Sequence, residues 1–244
     1  MADPSNGALN GQIAVVTGAG RGIGRAISLR LALMGARVLL VARDLARIES
    51  VRAEIEAAGG VSETAPCDLT QPDSISALGA GIGEQYGRCD ILVNNAGIGN
   101  QGRPLHEMLV SEWDLLMATN LRAPYLMVRA LAPMMIAARR GHIVNISSLA
   151  GKNPLPKGAA YSASKWGLNG LTYSVAEELR EYGVRVSVVA PGSVNTRFDS
   201  GPDWSGKDPA TRIQPEDIAD IIEMLVTQAP QSFISEVLVR PTQK

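Results

Sequence analysis

The chain has 244 residues, 45% hydrophobic and only 4% aromatic, enough for one large domain whose core is built mainly from Ala, Val, Ile and Leu. Lys plus Arg total 23 and Asp plus Glu 24, a formal charge of −1, which excludes a basic nucleic-acid stripe or an acidic tail as the dominant feature. No apolar run approaches the ~20 residues that span a bilayer, and the opening MADPSNGALNG lacks a signal-peptide core, so a cytoplasmic protein with no membrane partner is expected.

In chain order, residues 1–10 read as a flexible tail and 11–244 as one domain. The first strand, 13–17, runs into Gly18-Ala19-Gly20-Arg21-Gly22-Ile23-Gly24 and a helical stretch over 22–34. Strand, glycine-rich turn and helix in that order suit a phosphate. Gly18 permits the sharp turn, Gly22 lets backbone N–H groups approach the anion, and Gly24 allows close helix packing; Gly20, Arg21 and Ile23 complete the turn. The helix N-terminus adds partial positive charge.

A second strand, 37–41, leads to Ala42-Arg43-Asp44 and a helix over 45–58. Dinucleotide sites commonly carry an acid at the end of this strand to bind ribose hydroxyls. Ala42 stands there instead, and Arg21 and Arg43 are placed to converge on a 2′-phosphate. Asp44 reads as the cap of the following helix, although a one-residue shift would bring its carboxylate to the ribose.

The strand 62–67 leads to Asp68-Leu69-Thr70 and a helix over 72–86; the strand 90–94 leads to Asn95-Ala96-Gly97. Helical periodicity runs over 112–139 and includes Asn120, with Pro124 and Pro133 expected to kink it or shift its start. After the strand 142–147 come Ser148 and a helix over 159–182; after the strand 184–190 come Pro191, Gly192, Val194 and Thr196. A helix over 215–227 and a strand over 237–240 close the chain. Strands alternating with helices predict an α/β architecture, a doubly wound parallel seven-stranded sheet with helices on both faces, the Rossmann fold. Cys67 and Cys89 read as buried thiols, and the isolated His106 and His142 give no metal site.

Tyr161 and Lys165, four residues apart on one helix, lie on the same face about 6 Å apart along the axis. A tyrosine with an unperturbed pKa of ~10 needs a nearby positive charge to act as acid or base near neutrality, and Lys165 supplies one.

Together, T-G-x-x-x-G-x-G from Thr17, Asn94-Asn95-Ala96-Gly97, Asn120, Ser148, Tyr161-x-x-x-Lys165 and Pro191-Gly192-x-Val194-x-Thr196 resemble the short-chain dehydrogenase/reductase family over residues 11–240. The resemblance implies an NADP(H)-dependent oxidoreductase that interconverts a ketone and a secondary alcohol by direct hydride transfer. The 3-oxoacyl-(acyl-carrier protein) reductases are the nearest general likeness. Reductases of diketones, 3-hydroxy acids or quinones, and a non-catalytic NADP sensor, are the alternatives. A transferase on a similar glycine-rich fold would bind no nicotinamide.

By the same resemblance Tyr161 is the proton donor, and Ser148, thirteen residues before it, holds the substrate oxygen, with adjacent Ser147 the alternative. Lys165 also binds the nicotinamide ribose, and Asn120 supports a water in a proton relay. Asp68 holds the adenine or caps the next helix; Leu69 packs nearby. Asn94, Asn95, Ala96 and Gly97 line the adenosine side, Thr196 bonds the carboxamide, and Pro191, Gly192 and Val194 shape the floor beneath the ring. Residues 193–214, with Phe198 and Trp204, form a short substrate lid. The ending Phe233-Ile234-Ser235-Glu236-Val237-Leu238-Val239-Arg240-Pro241 departs from the family's glycine-rich tail, which puts the homotetramer in doubt and leaves a homodimer as the minimum.

Overall fold

A computed structural model describes residues 7–99, 104–196, 198 and 211–242. Its strands are β1 (Ile13–Thr17), β2 (Arg37–Ala42), β3 (Val61–Pro66), β4 (Ile91–Asn94), β5 (Gly141–Ile146), β6 (Val184–Pro191) and β7 (Glu236–Val239). They form one parallel sheet in the order β3-β2-β1-β4-β5-β6-β7, so the chain reverses direction across the sheet between β1 and β4. Ligands of such sheets bind at the carboxyl ends of the strands beside that reversal.

The central strands β1, β2, β4, β5 and β6 bury both faces, whereas the edge strands β3 and β7 are mostly half-buried or exposed. Ala14 and Val16 of β1 join Val38 and Leu40 of β2 in one apolar layer, under α1 (Gly22–Leu33), α2 (Leu45–Ala57) and α7 (Pro215–Val226). Ile13 and Val15 join Leu39 and Val41 in the opposite layer, under α3 (Pro72–Tyr86), α5 (Ala123–Ala138) and α6 (Ala159–Arg180). Two-faced burial explains why the central strands read as continuous β-branched runs rather than as alternating ones.

Helix ends follow local chemistry. Asp44 caps α2, its Oδ1 accepting from Arg47 N at 3.2 Å, as expected from the sequence. Pro72 and Pro215 open α3 and α7, and Gly87 closes α3 in the left-handed region at φ 63°. No helix among the described residues is long and apolar enough to cross a membrane.

Three expectations change. The helical stretch expected over 112–139 runs unbroken but not uniform: between α4 (Val110–Met117) and α5 it widens by one residue over Ala118–Arg122, where Ala123 N bonds to Ala118 O. Pro124 has no N–H for the carbonyl of Asn120, so the ladder opens one residue wider there, whereas Pro133 lies inside α5 without ending it. Residues 7–10 are also held rather than loose, since Leu9 is buried and its N–H donates to Met34 O at 2.9 Å; residues 1–6 lie outside the described set. The boundaries of every strand but β1 differ from the expected ones by one residue.

Candidate active site

At the carboxyl edge of the sheet a cleft of about 1040 Å³ runs from the end of β2 past the glycine turn to the start of α6. Its walls include Gly18, Gly20, Arg21, Gly22, Ile23, Arg43, Asp68, Leu69, Asn95, Ala96, Gly97, Ser148, Tyr161, Lys165, Pro191, Gly192, Val194 and Thr196. Of the site residues expected from the sequence, Gly24 and Asn120 stand behind the wall rather than in it.

The glycine turn is shaped by close backbone approach. Gly18 has φ 66°, and a Cβ there would stand 2.9 Å from Asn95 Nδ2. At Gly24 a Cβ would come within 2.3 Å of Gly18 O, so any side chain would push α1 off the turn that precedes it. Asn95 fastens the turn from the neighbouring strand, its Nδ2 donating to Thr17 O at 2.9 Å and Gly18 O at 3.3 Å. Thr17 Oγ1 accepts from the backbone N–H groups of Asn95 and Ala96 at 2.9 and 3.0 Å. Thr17 had only opened the motif; this bracing role appears once β1 and β4 are paired.

Several assignments are corrected by these contacts. Asn94 does not line the cleft: it is buried and donates to Asn145 Oδ1 at 2.8 Å, and Asn145 in turn donates to Thr172 Oγ1. Asp68 does not cap α3, whose cap position is Gln71; its Oδ1 accepts from Thr70 N at 3.0 Å and Thr70 Oγ1 at 2.8 Å. Those bonds, with Arg43 nearby, hold its carboxyl below the usual range, so a carboxylate faces the cleft. Arg21 lines the same cleft as Arg43 and also donates to Phe198 O at 3.5 Å. Arg47, which the sequence did not single out, lines the cleft beside Arg43.

At the other end, α6 places Tyr161 and Lys165 one turn apart. Lys165 Nζ lies 5.7 Å from the centre of the Tyr161 ring and donates to Ile146 O at 2.9 Å. Only 3% exposed, the ammonium is pushed down to about 8 by burial. The Phe198 ring meets Tyr161 edge-on at 6.1 Å; of the lid expected over 193–214, residues 197 and 199–210, Trp204 included, lie outside the described residues.

The two serines part company. Ser147 is buried and donates to Lys165 O at 3.4 Å, whereas Ser148 Oγ accepts from Ala150 N at 3.1 Å. The Ser148 hydroxyl proton is therefore not used in that contact. Both amide atoms of Asn120 are engaged: Nδ2 donates to Ile98 O (2.9 Å) and Ser164 Oγ (3.1 Å), and Oδ1 accepts from Ile98 N (2.9 Å). Ser164 Oγ donates to Tyr161 O at 2.7 Å, so Asn120 braces α6 against the loop after β4.

The cleft fits an extended dinucleotide. Backbone that would clash with any Cβ at Gly18 and Gly24 frames a phosphate cradle at its middle, and Gly97 leaves open the space beside Lys165 Nζ, which a Cβ would approach to 3.7 Å.

Known proteins agree with this geometry. The short chain dehydrogenase family model matches residues 12–202. The chain is 36% identical to a 3-oxoacyl-[acyl-carrier-protein] reductase of Synechocystis over 93% of its length and 94% of that protein. It is 33% identical to a sepiapterin reductase of Chlorobaculum tepidum, over 94% and 96% of the two chains. Among solved structures, a metagenomic short-chain oxidoreductase in complex with NADP is 59% identical, covering 97% of this chain and 100% of that one with a TM-score of 0.87. A family match over most of the sequence, with the Tyr161–Lys165 pair and the glycine turn facing one cleft, makes this protein an oxidoreductase of the short-chain dehydrogenase family.

Proposed function

We propose that the protein interconverts a ketone and a secondary alcohol with NADP(H), on a small or acyl-thioester substrate of the 3-oxoacyl class. One observation carries the reading: Lys165, an almost wholly buried ammonium, sits 5.7 Å from the Tyr161 ring in a cleft shared with Ser148. A buried lysine with no carboxylate partner among the described residues stabilises no fold by itself; it stabilises a neighbouring negative charge.

When bound, NADPH supplies the hydride for the carbonyl carbon. Tyr161 donates its hydroxyl proton to the carbonyl oxygen, and the Ser148 hydroxyl proton holds that oxygen as negative charge develops. Lys165 stays charged below about pH 8 and favours the tyrosinate left behind. Asn120 and Ser164 keep Tyr161 and Lys165 in register with the loop after β4.

Support for NADP(H) over NAD(H) comes from Ala42, which puts no acid at the end of β2, from Arg43 in the same wall, and from the NADP held by the 59% identical oxidoreductase. Support for the 3-oxoacyl class comes from the Synechocystis reductase, and an open cleft with Ile98, Leu115 and Phe198 in its wall suits an extended acyl chain. We place the protein in the cytoplasm, where the buried thiols of Cys67 and Cys89 remain reduced, and assign it a homodimer through the exposed Tyr125, Trp166 and Tyr173 on α5 and α6.

The test is NADPH oxidation with acetoacetyl thioesters beside small diketones, comparing wild type with Tyr161→Phe. The variant is expected to lose about a thousandfold or more in kcat while binding NADPH normally. Equal rates in the two proteins would remove the catalytic assignment.

A further inference from the structure

The end of the cleft beside β2 is walled by Ala42, Arg43, Asp44 and Arg47. Two contacts at the start of α2 fix Arg47 there. Its backbone N–H is the group that Asp44 caps, which sets it in the first turn of the helix. A Cβ on Gly20 would stand 3.0 Å from the Arg47 Cβ, so the arginine stem lies against the glycine turn. Its guanidinium Nε pairs with Asp44 Oδ2 at 2.9 Å, and the two side chains are 54% and 51% exposed. Arg21, the partner expected for Arg43, lines the same cleft and also reaches Phe198 O, at 3.5 Å.

We infer that Asp44 and Arg47 form a two-way specificity latch for the adenosine 2′ position, an inference that rests on the NADP(H) reading above. A half-exposed ion pair contributes little and is readily exchanged. Facing a 2′-phosphate, Arg47 keeps Nε on Asp44 and turns its remaining guanidinium N–H groups to the dianion, where with Arg43 it makes several charge-assisted bonds. Facing a 2′-hydroxyl, the pair remains closed, and Asp44 accepts from the hydroxyl as an acid at the end of the second strand does in sites for the unphosphorylated cofactor. Arg47 thus neutralises a carboxylate that would otherwise repel the phosphate, and Asp44 gives the unphosphorylated cofactor a foothold. Sequence position alone left Asp44 as either a cap or a ribose ligand; its Oδ1 does the first, and its Oδ2, paired with Arg47, lies on a residue of the cleft wall.

Calorimetric titration of the intact protein with 2′,5′-ADP and with 5′-AMP reads the latch without turnover. Arg47→Gln is expected to weaken 2′,5′-ADP by about tenfold or more, through the lost bond and the uncovered Asp44, while 5′-AMP changes by less than about twofold. Asp44→Asn, which still caps a helix, is expected to tighten 2′,5′-ADP about threefold and weaken 5′-AMP. The double variant should recover part of the loss seen in Arg47→Gln. Arg43→Ala is the control for the underlying reading. Equal effects of Arg47→Gln on the two nucleotides, or none on either, would overturn the latch even if Arg43→Ala selectively loses 2′,5′-ADP. Unchanged 2′,5′-ADP binding in Arg43→Ala would instead sink the NADP(H) reading itself.

Discussion

The two ends of the sheet bury ionisable groups in opposite ways. At the amino end Asp90, 6% exposed, accepts from Ile13 N and Arg88 Nε, both at 2.9 Å, and meets Arg140 at 3.3 Å. Close by on β5, His142 is kept neutral: burial pushes its pKa down to about 3, and Nε2 pairs with Ser187 Oγ at 2.8 Å, which donates to Ile234 O. At the carboxyl end Lys165 is just as buried, yet its one hydrogen bond among the described residues goes to a neutral carbonyl. One end satisfies its charge and ties strands together. The other holds a charge with no counter-charge among the described residues, the arrangement expected where chemistry, not the fold, uses it.

That contrast predicts opposite signs for removing the two charges. Asp90→Ala leaves two arginines and the Ile13 N–H without their shared acceptor, and is expected to lower stability by about 4 kcal/mol in urea unfolding, with activity per folded molecule unchanged. Lys165→Met should do the reverse. Its folded pKa of about 8 lies below the unfolded 10.5, so the unfolded chain binds more protons between those values and stability rises with pH through that window. Below pH 8 the folded protein carries the full penalty, about 3 kcal/mol. Replacing the ammonium with a thioether of similar length should raise the Tm of the cofactor-free protein by roughly 5–10 °C while ending turnover. A lower Tm for Lys165→Met would break the comparison.

A third measurement sharpens the amino end. The folded pKa of His142, about 3, lies below the usual 6.5, so its contribution is complete above pH 6.5 and is lost as pH falls toward 3. The expected slope is about 1.4 kcal/mol per pH unit, or about 2 kcal/mol already lost at pH 5. His142→Leu should flatten unfolding stability between pH 4 and 6.5; an unchanged slope would mean that the imidazole is not the group titrating.

The same division explains what the sequence could disclose. The central strands were legible because both their faces are buried, which forces runs such as Ile13-Ala14-Val15-Val16. Tyr161 and Lys165 were legible because a helix converts four residues of spacing into a shared face. The wide turn at Ala118–Arg122 was legible in part: Pro124 marked a disturbed ladder, but the side-chain bonds that join Asn120 to Ile98, distant in sequence, had no local signal. Arg21 and Arg43 looked equivalent as charges near a phosphate turn, but the first also reaches Phe198 O, a contact far apart in sequence. Arg47 became visible only when Gly20 and the start of α2 came into contact. Asn94 sat in the right motif, and its direction depended on Asn145 in a strand 51 residues on.

The smallest predicted effect tests whether the brace behind the wall belongs to the site or only to the fold. Ser164 is fully buried, accepts from Asn120 Nδ2 at 3.1 Å and donates to Tyr161 O at 2.7 Å. Ser164→Ala removes both contacts, but Asn120 Nδ2 keeps Ile98 O, and alanine favours the helix by a few tenths of a kcal/mol, so the net loss of stability should be only about 1 kcal/mol. If the bond is merely structural, the folded variant should turn over like wild type. If it holds the first turn of α6 in register with Asn120, kcat should fall several-fold with KM for NADPH unchanged, and the pH at which activity declines should shift, because the distance from Lys165 Nζ to the Tyr161 ring sets how strongly the ammonium favours the phenolate. A pH profile that does not move would assign Ser164 to packing alone and leave Asn120 bracing the loop after β4 without reaching the tyrosine.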